Sequence, residues 1–240
     1  MYFNCMPNRN RKNLTLFYHS KNCKIDISCT CASLERVSTI KYLGVQIDEN
    51  LKFKSHVLQI SKNLRFILYN FYHLKNKVNS DFFINLYYSW VYPLFLYGIS
   101  IWGGDYHSNI KPLISIQNKF VRFLSHNSSN NTRHTYDSLY KSLNILPLRH
   151  IFFYKLCIIV YEHPDSFIKL LNISARRPNN IFKIPRPHKE VFRKNFQYLA
   201  PKFFNLLPVS IQQSISLSVF KKNLKIFVMN IGITDLEIFF

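Results

Sequence analysis

Acid is what this chain has least of: its 240 residues hold 12 Asp and Glu against 32 Lys and Arg, a formal net charge of +20 at pH 7 with histidine neutral. Two-metal phosphoryl transfer needs two or three carboxylates converging on divalent ions, and the only adjacent acids are Asp48 and Glu49. They stand where a strand-like run ends, and neighbours in a strand point to opposite faces, so a turn role is expected of them rather than a metal site. Five glycines give no Gly-rich phosphate loop and no G-x-S-x-G elbow. Nine histidines show no H-E-x-x-H or comparable spacing. The cysteines, Cys5, Cys23, Cys29, Cys31 and Cys157, are odd in number and lack the paired C-x-x-C of zinc sites. In a strand Cys29 and Cys31 would share a face with Ile25 and Ile27 as small buried hydrophobes. Cys157, inside an apolar run, reads as core rather than nucleophile. No leader of basic, apolar and small-residue segments is read at the start. The expectation is a reduced, intracellular protein, nuclear or cytoplasmic, with no catalytic residue, no metal site and no cofactor of its own.

What the chain does have is apolar bulk and positive charge. At 48% hydrophobic it can fill a core. A surplus of cations this large calls for a polyanion to neutralise it, nucleic acid first and an anionic membrane second, with solubility alone as the bland alternative. Phe82 to Trp102 contains no charged side chain and is long enough for a bilayer span. Pro93, Asn85 and tyrosines 87, 88, 92 and 97, spread through the segment instead of gathered at its ends, favour a buried helix. A basic helical membrane protein spanning at 82–102 is therefore the alternative, and a product with no function, its apolar face left bare, is a third.

Along the chain, Asn13 to His19, Lys24 to Cys31 and Ile40 to Ile47 read as strands of a small antiparallel sheet. Val57, Ile60, Leu64, Ile67, Leu68, Phe71 and Leu74 then fall at steps of three and four, one stripe of a helix, with Lys62, Arg65 and Lys75 opposite. Ser80 and Asp81 start a helix at Phe82 that Pro93 should kink or break before Gly98. Further helices are expected over about Asn109 to Ser125, Asp137 to Leu143 and Leu148 to Tyr161, with a polar loop from His126 to Thr135. From Ala175 to Tyr198 the chain carries Pro178, Pro185 and Pro187 with Arg176, Arg177, Lys183, Arg186, Lys189, Arg193 and Lys194. An extended arm follows from those prolines, with a last helix only near Ser218. Phe182, Phe192, Phe196 and Tyr198 interleave with its cations, a mixture suited to phosphates and stacked bases.

Five stretches in order resemble the C-terminal part of the reverse transcriptases of non-LTR retrotransposons, of the Jockey and CR1-like lineages. ERVSTIKYLGVQIDENLKFKSHV (Glu35 to Val57) is similar to their K-Y-L-G-V-x-I-D segment and the helix after it. LYYSWVYPLFLYGISIWGG (Leu86 to Gly104), ISIQNKFVRFLS (Ile114 to Ser125) and SLNILPLRH (Ser142 to His150) follow. The last is FQYLAPKFFNLLPVSIQQSISLSVFKKNLK (Phe196 to Lys225), which departs from the family pattern at Ala200, where Gly is usual, and at Phe204, where Trp is usual. The resemblance implies that Tyr42, Leu43 and Gly44 are the primer-grip turn at the palm edge and that the following helices are the thumb. The family's Asp-Asp motif lies on a part of the palm with no counterpart in these residues, so Mg2+ would belong to that palm.

The expected fold class is mainly α with a small N-terminal antiparallel β-sheet: a palm-edge hairpin followed by a helical thumb-like bundle. The expected segments are a palm-edge remnant over 1–50, a thumb-like domain over 51–174, and a basic extended arm with a C-terminal helix over 175–240. The expected function is that of a reverse transcriptase fragment, inactive by itself, holding RNA or an RNA/DNA primer-template, with a partner chain carrying the palm. Its contacts would be Tyr42, Leu43, Gly44, Lys62, Arg65, Arg176, Arg177, Lys183, Arg186, Lys189, Arg193 and Lys194.

Overall fold

The computed structural model describes residues 16–17, 33–34, 37–105, 107–126, 135–169, 181–186 and 190–237. Its mainly helical make-up, with short antiparallel pairings near the N-terminus, is the expected fold class. The chain divides into two compact units, Met1–His56 and Val57–Phe240.

In the first unit β1 (Leu16–Phe17) pairs antiparallel with β2 (Ser33–Leu34), and β3 (Thr39–Tyr42) with β4 (Val45–Asp48). The strand expected over Ile40 to Ile47 is thus a hairpin. Its register sets Lys41 opposite Gln46 and Tyr42 opposite Val45, leaving a two-residue turn in which Leu43 (φ 45°) and Gly44 (φ 82°) are both left-handed. Two positive φ values in succession are the turn whose twist matches the twist of the paired strands. The strand expected over Lys24 to Cys31 lies outside the described residues. Asp48 takes the turn role expected of it: its Oδ1 accepts from the backbone N–H of Asn50 and of Lys52, both at 3.0 Å, an Asx-type turn.

α1 (Lys54–Leu74) starts at the end of the first unit and runs into the second. The apolar stripe read from the sequence is its inner face, with Val57, Ile60, Leu64, Leu68 and Phe71 buried. The uncharged segment that follows is not one helix. It breaks into α2 (Ser80–Leu86), a π-turn over Tyr87–Val91, α3 (Tyr92–Leu96) and α4 (Ile99–Trp102). The cause is Pro93, which lacks an N–H and crowds the carbonyl four residues back: the N–H of Tyr92 reaches five residues back to the carbonyl of Tyr87. Gly98, at φ 63°, turns the chain again. Phe83, Tyr87, Val91, Phe95, Ile99 and Trp102 are all buried, while Phe82, Trp90, Tyr97 and Ile101 stay exposed, so one face of the segment is core. Among the described residues no helix is long and apolar enough to cross a membrane, which argues against the alternative of a span at 82–102.

α5 (His107–His126), α6 (Tyr136–Ser142) and α7 (Leu148–Glu162) match the expected helices to within two residues; the loop expected between α5 and α6 lies largely outside the described residues. The stretch expected to stay extended until Ser218 differs. It carries α8 (Glu190–Arg193), α9 (Phe196–Phe204) and α10 (Val209–Gln212) ahead of α11 (Leu217–Asn230) and α12 (Ile233–Glu237). The side chain of Asn195 caps α9 by accepting from the N–H of Gln197 at 3.2 Å, and α9 buries Leu199, Ala200, Phe203 and Phe204. That burial outweighs Pro201 inside it.

α7 lies at the centre of the second unit. The ring of Phe203 on α9 packs on those of Phe152 and Phe153, with centroids at 6.1 and 4.8 Å, and Tyr161 stacks on Phe220 of α11 at 4.2 Å. A second aromatic knot ties α1, α2 and α5, where Phe71 meets Phe83, Phe120 and Phe123 at 5.2 to 5.7 Å. Such edge-on and tilted pairs add to the area they bury. Cys157 is buried within α7 and burial pushes its thiol pKa well up, so it is core and not a nucleophile.

Candidate nucleic-acid interface

Three groups of expected contact residues fall on three pieces of backbone. The first is the hairpin tip in the first unit. Tyr42 and Leu43 are 61% and 72% exposed, and Val45 behind them is buried. Leu43 sits at a φ that residues other than Gly, Asn and Asp rarely adopt, at a cost of about 1–3 kcal/mol. The fold thus holds a strained backbone with an apolar side chain in solvent, and Gly44 without a Cβ leaves the backbone open to close approach. His56, also in this unit, accepts at Nδ1 from the Gln46 N–H at 3.4 Å, and burial lowers its pKa.

The second group is on α1. Lys62 and Arg65 are exposed, and among the described residues neither has an ion-pair partner. Leu58, Lys62, Arg65, Phe66, Tyr69 and Tyr72 follow at steps of one, three and four on the face opposite the core stripe, and the four apolar members are each more than half exposed. The aromatic members of this face are what sequence reading missed. Their spacing is legible in the sequence, but helical periodicity singles out only the face destined for burial. Two of the rings are oriented by neighbours: Tyr69 meets His73 edge-on at 4.2 Å, and Tyr72 meets Phe123 at 5.0 Å.

The third group is the arm, of which Arg176, Arg177 and Lys189 lie outside the described residues. Lys183 and Arg186 are exposed on a stretch stitched to its surroundings. Asn205 acts as a surrogate strand edge: its Oδ1 accepts from the N–H of Ile181 and of Phe182, each at 3.1 Å, and its Nδ2 donates to the Phe182 carbonyl at 2.7 Å. The Lys183 N–H donates to the carbonyl of Ile168 at 2.8 Å. Phe182 is consequently 3% exposed, between the rings of Phe167 and Phe204, and is removed from the residues expected to stack on bases. Arg193 is exposed and Lys194 half-buried. The carbonyl of Lys194 lies where a Cβ on Gly104 would be, so only glycine at 104 lets this segment close on the turn after α4.

Other motif residues serve the frame. Gln117, fully buried, donates to Tyr87 Oη at 3.0 Å and to the Leu146 carbonyl at 2.9 Å, while its Oε1 accepts from the Leu148 N–H at 2.8 Å. Desolvation in this setting raises the pKa of Tyr87. Arg149, also buried, donates to the carbonyls of Gly103 and Asp105 at 2.9 and 3.1 Å, closing the C-terminal end of α4. His150 is buried with Nε2 at 3.0 Å from the Ile231 carbonyl, and desolvation is the main cause of its lowered pKa. Among the described residues no group of three His, Cys, Asp or Glu could hold a metal ion.

Compared with known proteins, the chain is 35% identical over 88 residues to a protein of Drosophila melanogaster described as "Probable RNA-directed DNA polymerase from transposon X-element". The match covers 35% of this chain and 10% of that protein. Part of the chain is therefore similar to a transposon-encoded RNA-directed DNA polymerase. No family model matches, and no solved structure matches.

Proposed function

We propose that the chain is a piece of a non-LTR retrotransposon reverse transcriptase, its C-terminal part in a Jockey or CR1-like lineage, that holds RNA or an RNA/DNA primer-template and does not itself join nucleotides. On this reading residues 1–50 are the palm edge, 51–174 the thumb and 175–240 a basic arm with the C-terminal helix. Carboxylates and Mg2+ for chemistry come from a palm outside these residues, on the same or a partner chain, inside the cell.

The observation that carries the reading is the distribution of charge on the long helices. α1, α5 and α11 contain no Asp or Glu, yet carry Lys54, Lys62, Arg65, Lys111, Lys119, Arg122, Lys221, Lys222 and Lys225. Glu162, the one acid of α7, accepts from Lys221 at 3.4 Å. These cations meet no acid on their own helices, and such charge, Lys221 apart, favours phosphate, whose counterions are released on binding. The tip of Tyr42, Leu43 and Gly44 supports a role in positioning a primer end, since an exposed glycine turn admits a sugar or phosphate against the backbone. A salt titration by fluorescence anisotropy tests the proposal: through six to ten phosphates the affinity should fall roughly 10³ to 10⁵-fold between 50 and 200 mM salt. Binding that is absent, or indifferent to salt, removes it.

A further inference from the structure

We propose that the outward face of α1 is a track for unpaired nucleotides, with Phe66 and Tyr69 as the rings on which bases stack and Lys62 and Arg65 as the cations that hold the adjoining phosphates; this rests on the nucleic-acid reading above and narrows it from polyanion to single strand. Each ring stands four residues after a cation, Lys62 before Phe66 and Arg65 before Tyr69, so each ring and its cation are neighbours on the helix surface. At 1.5 Å per residue the run from 62 to 69 covers roughly 10 Å, about three nucleotides at 3.4 Å each. Phe66 is 66% exposed and Tyr69 60%. Rings left this open in a chain that encloses Phe71, Phe120 and Phe152 completely have a face to offer.

Duplex cannot use those faces, because every internal base is already stacked on both sides. Only splayed bases, or a terminal pair, reward a ring. A membrane surface is a poor fit as well. An interfacial helix keeps its cations on the face opposite its apolar one, whereas here cations and rings share one stripe and the opposite face is core. The edge contact of Tyr69 with His73 holds that ring in place before any ligand arrives, which lowers the ordering cost of binding.

The experiment uses the full chain and four labelled 12-mers by anisotropy at 50 mM salt: single-stranded RNA, single-stranded DNA of the same sequence, an abasic DNA backbone, and blunt duplex. The single strands should bind about tenfold or more tighter than the abasic backbone and tighter than duplex. RNA and DNA should bind within tenfold of each other, since a ring reads a base's face and not the 2′-hydroxyl. Phe66→Ala with Tyr69→Ala should abolish the preference over the abasic backbone and leave abasic affinity unchanged, with the thermal melt as the check on folding. Equal binding of abasic and normal strands, a duplex preference, a larger gap between RNA and DNA, or a double variant that keeps the base preference would each overturn the track while sparing the broader function. No binding of any probe would overturn both.

Discussion

α1 and α7 are long helices with opposite relations to solvent. In α7 the residues Leu148, Ile151, Phe152, Phe153, Leu156, Cys157, Ile158 and Val160 are buried all round the helix, and the neighbouring helices close over it. In α1 one stripe is buried and the other shows cations beside Phe66, Tyr69 and Tyr72. The same chain that encloses one helix leaves large rings of another in water, so the open rings are not explained by a shortage of covering surface within the chain. Apolar residues kept exposed beside charge of one sign mark a face with a use.

The sharpest way to break that comparison is at the buried end of α7. Gln117→Leu strips partners from Tyr87 Oη, the Leu146 carbonyl and the Leu148 N–H together. It should cost about 3 kcal/mol or more in urea unfolding, without altering the salt dependence of binding by the molecules that remain folded. Next comes a matched pair of truncations. Leu156→Ala, at a fully buried site, should cost about 2–5 kcal/mol, and Phe66→Ala about 0.5 kcal/mol or less. Equal losses would mean that α1 is covered in solution.

Acid is a gentler lever. Burial lowers the pKa of His150 and of His56, so below the ordinary value of about 6.5 the unfolded chain takes up protons that the folded chain refuses. Stability should be level above that pH and decline as pH falls from it towards the folded-state values, read as urea midpoints at pH 7, 6 and 5. An unchanged midpoint would show that both imidazoles titrate alike in the two states. Lys62→Gln with Arg65→Gln, like Phe66→Ala, should change stability by about 0.5 kcal/mol or less. Yet the slope of log affinity against log salt should flatten by roughly 1.4 to 1.8, from 0.7 to 0.9 per phosphate contact. An intact slope would place phosphate binding elsewhere.

The helical frame was legible where one face is buried, because steps of three and four survive any loop chemistry. The hairpin was not legible from periodicity. Ile40 to Ile47 alternates like one strand, and Leu43-Gly44 lacks the Asn-Gly or Asp-Gly pair that usually announces such a turn; only the family resemblance pointed to it. The arm was misjudged for a related reason. Prolines and cations dominate its composition, while the residues that order it, Asn195 and Asn205, act through single side-chain amides that no pattern reveals. Of the candidate site, the cations of α1 were found from charge and its rings were overlooked.

The amide of Gln117 has an effect beyond its three bonds. A helix with apolar residues on more than half its girth can roll by a fraction of a turn and still bury comparable grease, but a lone amide satisfied in three directions permits one angular setting. α5 is therefore keyed, like a shaft with a single spline, and the knot of rings that α5 shares with α1 inherits that setting.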